Sequence, residues 1–243
     1  MQIIITKNYE ELSKEAAKIV RTRILEKPNL VLGLATGSTP LGLYQALIKM
    51  HQQENLDFRE ARTFNLDEYV GLAPDHPQSY NYYMRENLFK HINIKKENVF
   101  IPKGIAENIE EFCQQYEYGI KKRGGIDLQI LGIGRDGHIG FNEPGTSFTS
   151  RTHIVNLDSV TIEDNARFFN NESEVPRRAI TMGIGTIMEA KECLMLVSGA
   201  YKTEIIARAL QGQITEKVPA SVLQKHPNLT VILDEEAANR LEV

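Results

Sequence analysis

The 243-residue sequence has no tryptophan, only two cysteines and no long apolar run. Its longest apolar stretches, such as Leu30–Ala35, are far shorter than the ~18 residues that a membrane span requires, so we predict no membrane partner. Cys113 and Cys193 lie far apart and lack the paired spacing of zinc sites. We expect both to be buried, reduced thiols.

The sequence also lacks a marked excess of either charge, because 28 Lys and Arg oppose 32 Asp and Glu and leave a net charge of −4. Proteins that bind nucleic acids usually carry a basic surface, so this balance predicts no nucleic-acid partner. A bound phosphate would need a local site. Near the N-terminus, the apolar run Ile3–Ile5 is too short for a signal peptide, so we predict a cytoplasmic location.

Short apolar runs alternate with helical patterns along the chain. The runs are Ile3–Thr6, Leu30–Ala35, Thr63–Leu66, Val99–Ile101, Leu128–Ile133, Leu194–Val197 and Thr230–Leu233. This alternation predicts an α/β fold with an open, mostly parallel sheet and helices on both faces. No Pro-rich, Ser-rich or Gly-rich linker divides it, so we expect one domain over residues 1–243. Ligands of such sheets bind beyond the carboxyl ends of the strands, where functional residues are sought first.

Two of the loops after predicted strands offer different chemistry. The loop Ala35–Pro40, ATGSTP, precedes a helical pattern, and its hydroxyls and N–H groups suit an anion such as phosphate. Simple capping of the helix is the alternative. In the stretch Phe64–Tyr69, FNLDEY, the carboxylate Asp67 or Glu68 can serve as a general base or as a turn or helix-cap acid.

The loop LGIGRDGHIGFNEPG follows another predicted strand and contains Asp136, His138 and Glu143. Carboxylates that flank an imidazole orient its tautomer and raise its basicity, so the three residues together can move protons. A metal site is the competing interpretation, but this irregular spacing matches no strong metal motif. We therefore predict no metal.

The same loop contains the pattern Gly132-x-Gly134-x-x-Gly137 of dinucleotide sites. That fingerprint needs a helix that begins at the glycines, and the glycines, asparagine and proline that follow prevent one, so we predict no nicotinamide or flavin cofactor. Two cations, Arg167 in DNARFFNN and Lys202 in the SGAYKTE segment after a predicted strand, are either surface charges or phosphate ligands.

Several of these stretches, taken together, resemble the amino-sugar isomerase-deaminase family, the glucosamine-6-phosphate deaminases. The resemblance covers essentially the whole chain. The stretches are LATGSTPLGLY, FNLDEYVGL with HPQSY, LGIGRDGHIGFNEP, ARFF, TMGIGTIM and SGAYK, in the order of the family. It implies a single Rossmann-like domain, a small-molecule substrate and no organic cofactor.

The resemblance also implies a reaction and a role for each matched residue. Glucosamine 6-phosphate and water give fructose 6-phosphate and ammonia. Asp67 is expected to move the proton between C2 and C1, and His138 to open the pyranose ring, tuned by Asp136 and Glu143. The substrate-binding residues are expected to be Thr36, Gly37, Ser38, Thr39, Gly132, Arg167 and Lys202.

Two alternatives stay open beside this interpretation. A 6-phosphogluconolactonase-like hydrolase shares the fold and a similar histidine loop, although the Asp67 segment favours C–H abstraction. A non-catalytic sugar-phosphate sensor would have lost Asp67, His138 or Glu143, and all three are present. The sequence leaves open whether the protein is a monomer or a homo-oligomer.

Members of the family that N-acetylglucosamine 6-phosphate activates carry SRTRIK where this sequence has SRTHIV, with His153 and Val155. Because two cations are lost, and the chain has little length beyond the catalytic core, we predict weak or no activation. Velocity curves with and without N-acetylglucosamine 6-phosphate test this, and a several-fold drop in apparent KM would contradict it.

Overall fold

The computed structural model describes residues 1–169 and 171–242, in which seven strands form a parallel sheet. These strands are β1 (Gln2–Thr6), β2 (Val31–Leu34), β3 (Arg62–Asn65), β5 (Val99–Phe100), β6 (Leu128–Leu131), β9 (Glu192–Val197) and β10 (Leu229–Asp234). Their order is β1-β10-β9-β6-β2-β3-β5, and every neighbouring pair is parallel. Each predicted run overlaps one of these strands, so the predicted α/β fold class is confirmed.

Helices cover both faces of this sheet. They are α1 (Tyr9–Glu26), α2 (Leu41–Glu54), α3 (Tyr80–Asn87), α4 (Ile109–Lys122), α5 (Ser159–Ala166), α6 (Ile184–Met188), α7 (Thr203–Gln211) and α8 (Glu235–Ala238). Leu128 and Ile130 of β6 pack with α1, α2 and α3, whereas Leu131 faces the core that contains α4 and α7. Because successive side chains of a strand point to opposite faces, a strand buried on both sides shows the continuous apolar run seen in the sequence.

Three further strands form a small antiparallel sheet that the sequence did not predict. They are β4 (Asp67–Tyr69), β7 (His153–Asn156) and β8 (Arg178–Thr181), in the order β4-β8-β7. They are three or four residues long and contain few apolar residues in sequence, so they show no clear periodicity. The ring of Tyr69 and the side chains of Phe141 and Val155 belong to the apolar cluster beneath this sheet.

The order of the main sheet reverses between β2 and β6. From β2 the chain proceeds outward to β3 and β5, whereas from β6 it proceeds the other way to β9 and β10. Loops that follow the two central strands therefore separate and leave a crevice at their carboxyl ends. Among the described residues, no helix combines the length and apolar character needed to cross a membrane.

Candidate active site

A cavity of about 450 Å³ lies at this crevice. Most of the predicted site residues line it, namely Thr36, Gly37, Ser38, Thr39, Asp67, Gly132, His138, Arg167 and Lys202. The remaining two, Asp136 and Glu143, each place a carboxylate oxygen near Nδ1 of His138. The fold thus brings together groups that lie up to 166 residues apart in the sequence, from Thr36 to Lys202.

Asp67 begins β4 and is only 5% exposed. Its Oδ1 has no hydrogen-bond partner among the described residues. Burial, together with the neighbouring Glu68 charge, raises the pKa of the Asp67 carboxyl to about 7, against the lowering effects of His138 and the Thr36 hydroxyl. A carboxylate of this kind exchanges protons near neutral pH, which suits a general base.

The adjacent Glu68 has a different role. Its carboxylate accepts the backbone N–H groups of Tyr69, Tyr80 and Asn81 at 2.8 to 2.9 Å. Two of these N–H groups belong to the first turn of α3, so Glu68 fixes the start of this helix beside β4 and places Tyr80 in the cavity wall. The structure therefore gives the helix-cap role to Glu68 and leaves Asp67 facing the cavity.

The His138 ring lies between two carboxylates. Its Nδ1 is 2.8 Å from Asp136 Oδ1 and 3.6 Å from Glu143 Oε2. Burial lowers the pKa of His138, but the two carboxylates outweigh burial and raise this pKa above its usual value. Burial raises the pKa of Asp136, but its contacts with His138 outweigh burial and lower it. A pKa of about 9 favours the charged form of the His138 ring at neutral pH, with Nε2 left for a ligand in the cavity.

Glycines make room for this ring and for the neighbouring Thr181. A Cβ on Gly134 would lie 2.3 Å from Cε1 of His138, so the ring packs directly on the Gly134 backbone. Gly140 has a φ of +58°, and a Cβ there would lie 2.9 Å from the hydroxyl oxygen of Thr181. The close packing of His138 on the backbone of its own loop, residues 131–145, therefore explains why position 134 is a glycine. In the sequence this glycine forms part of the dinucleotide-like pattern.

Asp136, His138 and Glu143 are also the residues that could hold a metal ion. One ligand atom from each lies within 4.8 Å of the others. A metal on Nδ1 would take the place of the proton that the two carboxylates stabilise there. The geometry admits either a proton or a metal ion at Nδ1, so the absence of a metal stays a prediction.

The residues of the loop Ala35–Pro40 line the cavity. Within residues 1–169 and 171–242, no hydrogen bond uses the N–H of the four residues Thr36 to Thr39. The side chains of Ser38 and Thr39 do not cap α2, because the N–H of Gly42 is accepted instead by the Tyr9 hydroxyl at 2.7 Å. Unpaired N–H groups before a helix form a site that suits an anion.

Two cations face this loop across the cavity. Lys202 is 9% exposed, and burial lowers the pKa of its ammonium to about 8 despite the opposing effect of nearby carboxylates. Arg167 follows α5 and lines the same cavity. The turn before Lys202 starts at Gly199, whose φ is +94° and whose N–H is accepted by Asp234 at 3.0 Å.

Sequence reasoning missed several residues around the cavity. Asp234, the last residue of β10, belongs to no motif, and it acts on the cavity through the turn before Lys202 by accepting the N–H of Gly199. An acid at the end of an apolar run is the sequence signal for it. Arg135 lies within the histidine loop and pairs with Asp164 of α5 at 2.6 Å. The other missed lining residues include Tyr80, Thr161, Asn165 and Tyr201.

His153 and Val155, from which weak or absent activation by N-acetylglucosamine 6-phosphate is predicted, lie on β7, an edge strand of the small sheet. Val155 packs against the apolar cluster that contains Tyr69, and His153 Nδ1 lies 2.7 Å from the carbonyl of Arg151. Neither position holds a permanent cation. The weak or absent activation stays a prediction.

Comparison with known proteins agrees with the motifs. The sequence model of the family described as glucosamine-6-phosphate isomerases and 6-phosphogluconolactonases matches residues 6–232. The chain belongs to this family. A glucosamine-6-phosphate deaminase of Thermoanaerobacter pseudethanolicus is 61% identical over 239 residues, which are 98% of this chain and 94% of that protein. One of Clostridium botulinum is 52% identical over the full length of both proteins.

A solved structure extends the likeness to three dimensions. It is described as a monomeric glucosamine-6-phosphate deaminase, and it matches 98% of this chain and 99% of its own with a TM-score of 0.97 and 51% identity. The predicted resemblance to the amino-sugar isomerase-deaminases is thus confirmed. The family contains both isomerase-deaminases and lactonases, so its fold alone does not select between these reactions.

Proposed function

We propose that the protein converts glucosamine 6-phosphate and water to fructose 6-phosphate and ammonia. The observation that carries the proposal is one cavity that joins a buried carboxylate of pKa about 7, Asp67, with a carboxylate-flanked imidazole, His138, and an anion site. The named relatives support the same reaction. Within it, Asp67, Asp136, His138 and Glu143 are the proposed catalytic group.

The phosphate occupies the anion site in this proposal. The free N–H groups of the Thr36–Thr39 loop, Arg167 and Lys202 hold it, and Gly132 lies in the wall beside the sugar. The phosphate takes no part in bond breaking. Its binding energy instead fixes the reacting carbons against Asp67, as expected for a small substrate whose remote group does not react.

The first chemical step opens the pyranose ring. Nε2 of the His138 cation gives its proton to the ring oxygen O5 and takes the proton of the O1 hydroxyl, which leaves an aldehyde at C1. Asp136 and Glu143 keep the second proton on Nδ1 throughout, because both carboxylates face that nitrogen. The imidazole ring of His138 therefore carries the same two protons after the step as before it.

The second step is the isomerisation. The Asp67 carboxylate removes the proton from C2, which the aldehyde acidifies, and the electron pair of the C–H bond moves toward the aldehyde oxygen. This oxygen, O1, takes a proton from the substrate's ammonium group, which gives a neutral enolamine. Return of that proton to C1 gives a C2 imine, and water then replaces the imine nitrogen and releases ammonia. Burial of Asp67 raises its proton affinity, so the carboxylate can accept a proton from carbon and then return it.

The purified protein, supplied with glucosamine 6-phosphate, is expected to release ammonia and fructose 6-phosphate in equal amounts.

Dialysis against EDTA is expected to leave the rate unchanged, since Nδ1 holds a proton in the mechanism. Loss of activity that zinc restores would favour the metal interpretation. Hydrolysis of 6-phosphogluconolactone with no ammonia from the amino sugar would replace this proposal by the lactonase.

The pH dependence of kcat/KM is expected to be bell-shaped, with a maximum between about 7 and 8. On the acid side the rate rises with pH as Asp67, with a pKa of about 7, loses its proton and becomes a base. On the alkaline side it falls as Lys202, with a pKa of about 8, loses the charge that binds phosphate. A Lys202→Arg variant keeps its positive charge at high pH. In this variant the fall of kcat/KM on the alkaline side should move to higher pH, and the rise on the acid side should stay where it is.

We further propose that the chain acts as a monomer in the cytoplasm, with residues 1–243 as one domain. All the residues named in the catalytic group and the anion site belong to one chain, and the close structural neighbour is described as monomeric. Sedimentation equilibrium is expected to give a mass near 27.5 kDa with or without substrate. A larger mass that changes with substrate would contradict the monomer.

A further inference from the structure

Three tyrosine hydroxyls hold the carbonyl groups of the proposed phosphate loop. Tyr44 of α2 donates to the carbonyl of Ala35, and Tyr83 of α3 donates to the carbonyl of Gly37 at 2.6 Å. Tyr9 of α1 shares its proton between the carbonyls of Ser38, at 3.1 Å, and Thr39, at 2.9 Å. The donors come from three different helices.

These contacts bear on where the loop directs its N–H groups. A peptide unit places its C=O and N–H on opposite sides, so a carbonyl fixed on one side fixes the direction of the N–H that follows. The Gly37 carbonyl, held by Tyr83, precedes the N–H of Ser38, and the Ser38 carbonyl, held by Tyr9, precedes the N–H of Thr39. The second contact of Tyr9, with the Thr39 carbonyl, fixes the chain before Pro40, which has no N–H. Gly37, with a φ of +94°, makes the sharp turn between the two held segments.

Tyr9 makes one further contact that couples the loop to α2. Its oxygen accepts the N–H of Gly42 in the first turn of this helix at 2.7 Å, while its proton goes to the loop. A Cβ on Gly42 would lie 3.0 Å from this hydroxyl, so the helix approaches Tyr9 closely. One hydroxyl thus holds both the loop and the start of α2.

We propose that Tyr9 and Tyr83 are positioning residues that orient the N–H groups of Ser38 and Thr39, in the Thr36–Thr39 loop, toward the substrate phosphate. The inference rests on the proposed function for the identity of the ligand, but the device itself requires only an anion in the loop. Without the hydroxyls, the loop samples conformations in which its N–H groups no longer converge. Phosphate binding then bears the cost of ordering the loop.

The test replaces each hydroxyl while keeping the ring, in Tyr9→Phe, Tyr83→Phe and the double variant. Each single variant is expected to raise the KM for glucosamine 6-phosphate about two- to tenfold, the range for loss of one hydrogen bond. The double variant should raise it by about the product of the two factors if the contacts act independently. Since neither hydroxyl contacts the reacting carbons in the mechanism, kcat should stay within about twofold.

Tyr82→Phe is the matched control, because it lies in α3 beside Tyr83 and its hydroxyl makes no hydrogen bond among the described residues. Thermal unfolding of every variant separates a loop effect from loss of the fold. A merely structural role would lower the melting temperature without a selective rise in KM. Unchanged KM in both single variants and the double variant, or a fall in kcat alone, would overturn the inference.

Inorganic phosphate serves as a probe that needs no catalysis. Its dissociation constant, measured by calorimetry, should rise in the tyrosine variants by the same factor as KM and stay unchanged in Tyr82→Phe. If the wild-type protein bound phosphate but released no ammonia, the proposed function would fail while this comparison still tested the loop. If the variants bound phosphate as tightly as wild type, the positioning role would be wrong whatever the reaction.

Discussion

Asp67→Asn is expected to lower kcat by about 10²- to 10⁴-fold, the usual contribution of a general base. Asparagine keeps the size and polarity of the side chain but cannot accept the C2 proton. The variant should therefore also fail to exchange the C2 proton of glucosamine 6-phosphate with deuterated water, which NMR measures directly. Substrate binding should change little, because the proposed phosphate ligands lie elsewhere in the cavity.

The same substitution is expected to stabilise the protein above neutral pH. The pKa of Asp67 is raised from 3.8 to about 7 in the folded state, so the folded protein binds the extra proton between these values. Stability from this group is therefore present at low pH and is lost as pH rises toward 7. The full shift corresponds to a cost of up to about 4 kcal/mol, which an uncharged side chain avoids.

Denaturant unfolding of wild type and Asp67→Asn at pH 5 and pH 8 measures this difference. We expect the gap in the free energy of unfolding to be larger at pH 8. Asp75→Asn is the matched control, since Asp75 is exposed and makes no hydrogen bond among the described residues.

An Asp67→Asn variant that exchanged the C2 proton at the wild-type rate would show that another group is the base.

His138→Gln is expected to lower kcat by about 10²- to 10⁴-fold through a different step. The amide of glutamine neither gives up nor takes up a proton near neutral pH, so it cannot transfer one between O1 and O5. The variant therefore depends on the small open-chain fraction of substrate in solution. Ring opening then limits the rate. The kinetic isotope effect of substrate deuterated at C2 should therefore fall toward 1, whereas any residual activity of Asp67→Asn should not show this fall.

The His138 variant also leaves two carboxylates, Asp136 and Glu143, without the cation between them. Unfolding curves are therefore needed to show that the variant is folded when its kinetics are measured. His91→Gln is a suitable control, because His91 is exposed and is not among the residues that line the cavity. A full C2 isotope effect in His138→Gln would contradict its role in ring opening.

The parallel sheet was readable from the sequence because its strands are buried on both faces. A strand such as β6, with Leu128 and Ile130 against one layer of helices and Leu131 against the other, must be apolar throughout. The small sheet gave no such signal. β4 contains two acids, Asp67 and Glu68, whose burial depends on backbone N–H groups and a cavity supplied by distant segments.

The chemistry of the site was readable where a loop carries its own reactive groups. Asp136, His138 and Glu143 occur within eight residues, so their contact follows from local chain geometry. The division of labour between Asp67 and Glu68 was not readable, since either carboxylate suits a base or a cap. Contact of Glu68 with the start of α3 decides it.

The sequence by itself determined the α/β class, the strands of the main sheet and the family, because these depend on local patterns and contiguous motifs. Only the tertiary structure decided which groups share the cavity, how far burial raises the pKa of Asp67, and which hydroxyls hold the phosphate loop. Tyr9 and Tyr83 are 74 residues apart, and no periodicity relates them to the loop. Long-range packing sets desolvation and hydrogen-bond partners, and short stretches of sequence carry no record of either.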